Sequence, residues 1–178
     1  MAATISQLTV EEFRRLPEDS EAVYHELRHG QIVTVTRPNL KHSLIQRNLR
    51  ELLRAMAPSG SYVDTEMAFR ALPEYELRVA DVAYLSAERF QQADREDNIH
   101  GAPDIVVEVL SPSNTVAEIY DKEKLCLENG AMQFWVIDPD RRQVKVSTPD
   151  GRNVTYRAGE EIPLEVFEAS LAVDAIFA

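Results

Sequence analysis

The chain has little of what builds several common kinds of protein. A single cysteine, Cys126, stands among 178 residues, so an internal disulfide and a cysteine-based metal site are both excluded. No apolar run approaches the roughly 20 residues that span a bilayer, and no membrane association is expected. The opening stretch MAATISQLTVEEF has no basic segment followed by an apolar one, so no secretory leader is expected and the cytoplasm is the expected compartment. A glycine-rich phosphate loop and a serine or cysteine nucleophile motif are both missing. The histidines His25, His29, His42 and His100 form no metal-ligand pair on a helix. His42, at the start of a predicted helix, reads as a cap or as a phosphate contact.

Positive charge is also scarce. Nineteen Lys and Arg face thirty Asp and Glu, a formal net charge of −11. That opposes tight, unspecific attachment to nucleic acid, because phosphate affinity comes from Lys and Arg. A local basic patch remains open. Arg47, Arg50 and Arg54 recur at helical spacing, with Arg14, Arg15, Lys41 and Arg70 elsewhere; a solvated helix face is the plainer reading of the first three.

What is present fits a globular fold. Hydrophobic residues make up 44% and charged residues 28%, which separates the chain from disordered and fibrous classes. The length predicts one domain, residues 1–178. TVEEFRRL (9–16) predicts a short helix with Thr9 and Glu12 as a capping box. VYHELRHGQIVTVT (23–36) predicts a hairpin turning at His29-Gly30. HSLIQRNLRELLRAMA (42–57) predicts an amphipathic helix, its stripe formed by Leu44, Ile45, Leu49, Leu52, Leu53 and Met56. Strands are predicted at 61–72, 77–86, 103–110, 132–139, 143–148 and 153–158, and helices at 87–95 and 116–129. The last helix carries a second capping box, Thr115 with Glu118, and stops at Asn129-Gly130. The polar stretch EDNIHGA reads as a loop, and a short C-terminal segment closes the domain. The pattern predicts an α+β fold, one mixed central β-sheet flanked by helices, with an N-terminal hairpin.

Two carboxylates stand inside otherwise apolar strands: Asp81 in RVADVAYL and Glu108 in DIVVEVLS. A buried ionised carboxylate costs several kcal/mol unless something pairs with it. Acids on neighbouring strands can converge on one Mg²⁺, which prefers oxygen ligands and often takes only one or two carboxylates. A salt bridge to an arginine such as Arg78 would neutralise them equally well. Lys124, one loop and two helical turns after Glu108, could stabilise charge on a phosphate or orient water; Lys122 is an equal candidate by distance. Lys124 and Asp121, at i,i+3, could instead only support each other. Glu26 and Glu66 are further acids among strand formers, each readable as an exposed position. Asp104 lies roughly 13 Å along the strand from Glu108, too far to share an ion with it. Cys126, in an apolar stretch of helix, reads as core.

Several blocks together resemble the Uma family of bacterial restriction-endonuclease-like proteins, within the PD-(D/E)XK nuclease superfamily. TVEEFRRL, YHELRHGQIV and RVADVAYLS match in order. GAPDIVVEVLSPSN and YDKEKLCLENGAMQFWVIDP are the longest and most distinctive. The resemblance implies a restriction-endonuclease-like fold and a nuclease using Mg²⁺ or Mn²⁺ on nucleic acid, DNA first. It implies Asp81 and Glu108 as metal-holding acids, Glu26 as an added acid, and Lys124 as a lysine displaced from the usual position, which Leu110 occupies here. Ala80 replaces the expected proline, Gln31 and His29 replace hairpin acids, and Leu127 replaces a tyrosine. A homodimer is the assembly that would let such a short nuclease cut both strands together. Since fold is not function, a non-catalytic module acting in binding or assembly is the alternative.

Overall fold

A computed structural model describes residues 7–17, 24–35 and 38–178. In chain order the elements are α1 (Val10–Phe13), β1 (Tyr24–Arg28), β2 (Gln31–Val35), α2 (Leu40–Met56), β3 (Tyr62–Arg70), β4 (Arg78–Leu85), α3 (Ala87–Gln92), β5 (Ile99–His100), β6 (Ile105–Val109), α4 (Val116–Glu128), β7 (Gln133–Asp138), β8 (Gln143–Ser147), β9 (Asn153–Arg157), β10 (Glu161–Leu164), β11 (Ala169–Ala172) and α5 (Val173–Ile176). Residues 23 and 36 of the expected hairpin lie outside the described residues. Both expected capping boxes form, Thr9 with Glu12 and Thr115 with Glu118, though α1 is shorter than its sequence suggests. Asn39 caps α2 by accepting the His42 backbone N–H. The stretch read as a loop contains the two-residue β5, and the C-terminal segment folds as a hairpin plus a helical turn.

Seven strands form the mixed central sheet in the order β5-β3-β4-β6-β7-β8-β9. Only β3 with β5 and β6 with β7 pair in parallel. A parallel pair needs a crossover, and α4 supplies it for β6 and β7. The crossover explains why β6 reads as a nearly unbroken apolar run: both of its faces are covered. Ile105, Val107 and Val109 join Ile45, Leu49 and Leu53 of α2 and Trp135 in one core cluster. Val106 turns the other way, to Leu125 and Cys126 of α4 and Phe134. Cys126 is therefore core, as its setting predicts. Each fully buried large side chain contributes about 1.5–3 kcal/mol, so these two layers hold β6 from both sides.

The β1–β2 hairpin stands apart from the central sheet and is tied to it at Leu27, whose N–H and C=O pair with those of Leu77. Its turn places both His29 (φ 51°) and Gly30 (φ 73°) in the left-handed region. Gly30 is needed there twice over, since a Cβ would also lie 2.6 Å from that of Gln7. His29 is held in place by its backbone N–H, which donates to Glu76 at 2.7 Å. The hairpin thus hangs beside the start of β4, where the acidic residues collect.

Candidate active site

The site begins where the sheet opens. The β4–β6 ladder ends at Val82↔Val107, one step short of Asp81 and Glu108. On the other side, the β3–β4 ladder runs through Thr65↔Val82 and Met67↔Ala80 and passes over Asp81 as well. Glu66, between those partners, has φ 51°. Such a backbone costs of order 1–3 kcal/mol in a non-glycine residue and persists only where its surroundings enforce it. Asp81 is thus unpaired in both ladders. Its carboxylate fills the opening, and Oδ2 accepts the Val109 N–H at 2.6 Å.

Helices on the two faces complete the cluster. From α2, Gln46 Nε2 donates to Asp81 Oδ1 at 3.0 Å, and His42 Nε2 lies 3.1 Å from the same oxygen. Gln46 also donates to Glu66. From α4, Lys122 Nζ lies 2.7 Å from Glu108 Oε1 and 3.8 Å from Glu26 Oε1, and donates to the Val79 carbonyl at 2.6 Å. Glu26 in turn accepts the Val79 N–H at 2.9 Å and Arg28 Nε at 2.8 Å. Glu108 Oε1, though close to Lys122, takes part in no aligned hydrogen bond. Glu26, His42, Glu66, Asp81, Glu108 and Lys122 all line one cavity of about 290 Å³, with the Ser111–Asn114 loop at its mouth.

The charges are unbalanced. Burial pushes the Glu108 carboxyl up to about 8; the Lys122 ammonium pulls it down, and the charges of Asp81 and Glu26 add to the rise. Burial alone would lower Lys122, but Glu108 and Glu26 outweigh it and hold the ammonium above the ordinary lysine range. Glu66 is raised by burial and by Asp81. Burial would raise Glu26 too, yet Lys122 and Arg28 keep it below its usual value. Burial disfavours the His42 imidazolium, and the close Asp81 carboxylate, with the charges of Glu66 and Glu108, more than restores it.

The structure therefore brings Asp81, Glu108 and Glu26 together, as the sequence suggests, and leaves Lys124 out. The Lys124 side chain is 62% exposed, and its ion-pair partner is Glu128, at 4.0 Å. The reason is helical phase: two residues rotate about 200° around an α-helix, so Lys122 and Lys124 point to nearly opposite sides. Lys122 shares the buried stripe of Leu125 and Cys126, and that stripe was the signal that separates the two lysines. Asp121 does not support Lys124 either; it pairs with Arg78 and His29. Arg78, the alternative partner for a buried acid, is taken by Glu76 and Asp121. Asp104 orders the start of α3, accepting the Ser86 N–H and Arg89. Gln46 went unremarked in the sequence, although it falls four residues after His42 beside the buried Ile45 and Leu49. Among the described residues no three His, Cys, Asp or Glu side chains are arranged to hold a metal ion.

The family model described as "Uma2: Putative restriction endonuclease" matches residues 10–175. The chain belongs to the Uma2 family. A crystal structure of "a putative nuclease belonging to DUF820 from Anabaena variabilis ATCC 29413" superposes with a TM-score of 0.80 at 24% identity, over 96% of this chain and 97% of that one. That likeness shows that the two chains share this α+β fold, a mixed central sheet flanked by helices. A search of curated proteins returns no significant match. Among the described residues no helix is long and apolar enough to cross a membrane.

Proposed function

We propose that this Uma2 protein is a metal-dependent nuclease that hydrolyses phosphodiester bonds in DNA, with Asp81 and Glu108 holding Mg²⁺ or Mn²⁺. The observation that carries the reading is an excess of acid over base in one cavity. Glu26, Glu66, Asp81 and Glu108 line it together with the buried ammonium of Lys122, with His42, and with Arg28, which Glu118 also claims. Glu108 keeps an oxygen without an aligned donor, and its carboxyl is raised to about 8. A dication beside Asp81 and Glu108 would supply the charge that this carboxylate lacks. Hard oxygen donors open to a cavity of about 290 Å³ suit Mg²⁺, which keeps several waters in its shell. When bound, the ion supplies Lewis-acid polarisation of a phosphoryl oxygen and an activated water.

The chain's own groups set the rest. Lys122 stays protonated, so it stabilises the negative charge that grows on the phosphoryl oxygens rather than accepting a proton. Val79, Glu26 and Glu108 fix its ammonium. Val109, Gln46 and His42 fix the Asp81 carboxylate. Preset geometry of this kind removes reorganisation from the reaction step. A second copy of the chain would place one such site on each strand of a duplex.

The test is cleavage of supercoiled plasmid by purified wild type and Glu108→Gln with Mg²⁺ or Mn²⁺. The expected result is nicking by the wild type and a loss of at least about 10²-fold in the variant. Equal cleavage by both would mark a contaminant and sink the reading. A wild type that neither cuts nor binds a divalent ion would favour the binding or assembly module.

A further inference from the structure

The cations around the cavity mouth are mostly matched by acids. Arg28 is paired with Glu26 and Glu118, Lys41 with Asp140, and Arg141 with Asp138. A polyanion approaching a chain of net charge −11 must find its counter-charge elsewhere. One side of α2 offers it. His42 and Gln46 touch Asp81 in the cavity, and the same i,i+4 row continues outward through Arg50 and Arg54. At 1.5 Å per residue, the two arginines stand about 6 and 12 Å beyond Gln46 along the helix. They open into a second cavity of about 280 Å³, walled by Arg50, Arg54, Tyr62 and the Ser59–Ser61 turn. Asp64 lies there too and meets Arg50 Nε at 2.9 Å. Arg54 is exposed and has no ion-pair partner among the described residues, so the pocket keeps a surplus of positive charge.

We propose that the Arg50–Arg54 pocket is a phosphate subsite, gripping the backbone of the nucleic-acid strand a few nucleotides from the bond to be cut. The inference rests on the nuclease reading and adds the direction in which the strand leaves the cavity. A duplex strand advances 3.4 Å per nucleotide along its axis, so a contact about 12 Å away lies three to four nucleotides off. Arginine suits the task because its planar fork can grip a phosphate with two hydrogen bonds. The contact carries no sequence information; it fixes register.

The test is fluorescence anisotropy of a labelled DNA duplex, with Ca²⁺ replacing Mg²⁺, across a salt series. Wild type, Arg54→Gln, Arg50→Gln and the double variant are compared with Arg157→Gln, an exposed arginine on β9 that carries the same charge change. Each pocket substitution is expected to weaken binding several-fold and lower the slope of log K against log salt by about 1, with Arg157→Gln nearly unchanged. Arg54 makes no structural ion pair, so its variant tests the idea even if Arg50→Gln unfolds. Wild-type affinity and slope in Arg54→Gln, or losses equal to those of Arg157→Gln, would overturn the subsite while leaving plasmid cleavage as the separate check on the nuclease. A wild type that binds no duplex at any salt would overturn both.

Discussion

Two groups of buried charge sit within a few residues of each other on β4, and they are built differently. In one, Arg78 is 1% exposed and donates to Glu76, itself fully buried, and to Asp121. Glu76 also takes the His29 N–H, so the group ties the β1–β2 hairpin, β4 and α4 into one unit. Its carboxylates all have partners, Glu76 and Asp121 each meeting Arg78 and His29, and the chain closes over Arg78 and Glu76. In the other, Glu26 and Glu108 share Lys122, Asp81 beside them is held by Gln46 and the Val109 N–H, an oxygen of Glu108 is left without an aligned donor, and the whole faces a cavity. The contrast teaches that a buried ion by itself says little. A closed, fully partnered network is expected of structure, whereas an open one that leaves a carboxylate oxygen without a donor is expected of a site that receives a cation.

The comparison can be broken most forcibly from the closed side. Arg78→Leu leaves Glu76 buried without its partner, and a loss of about 3–5 kcal/mol is expected; urea denaturation measures it, and a near-neutral result would show the network to be dispensable. From the open side, Lys122→Gln is expected to cut cleavage by about 10²–10³-fold, while Lys124→Gln stays within about twofold of wild type. The reverse order would return the lysine role to the position the sequence first suggested.

A third test uses pH. Glu108 is raised in the fold above its ordinary value of 4.5 to about 8, so between those values the folded state binds more protons than the unfolded one. Stability from this group is therefore complete below about pH 4.5 and declines as pH rises through 8. In metal-free protein, Glu108→Gln should flatten that decline in a thermal-melt series; an unchanged pH profile would count against the raised carboxyl. The smallest effect is expected at Thr115, which meets the open network only through Glu118 and Arg28. Thr115→Ala removes the α4 cap and should cost about 1 kcal/mol with cleavage unaltered.

Much of this contrast was legible in the residues. Asp81 and Glu108 were visible because a carboxylate inside an apolar strand is an anomaly, and the two capping boxes and the α2 stripe follow directly from side-chain spacing. Other parts carry no such mark. Nothing in the identity of Glu66 announces a left-handed backbone; the neighbours of β3 impose it. Ile99–His100 is too short to show alternation, so it reads as loop. Lys122 and Lys124 differ only in helical phase, which becomes decisive once Leu125 and Cys126 are seen to be buried.

The most direct check of the central claim is calorimetric titration of Mn²⁺ into metal-free wild type, Asp81→Asn and Glu108→Gln. The account predicts saturable binding by the wild type at or below millimolar concentration, with proton release near neutral pH, and loss of both in each variant. Equal binding by all three proteins, or none by the wild type, would contradict it.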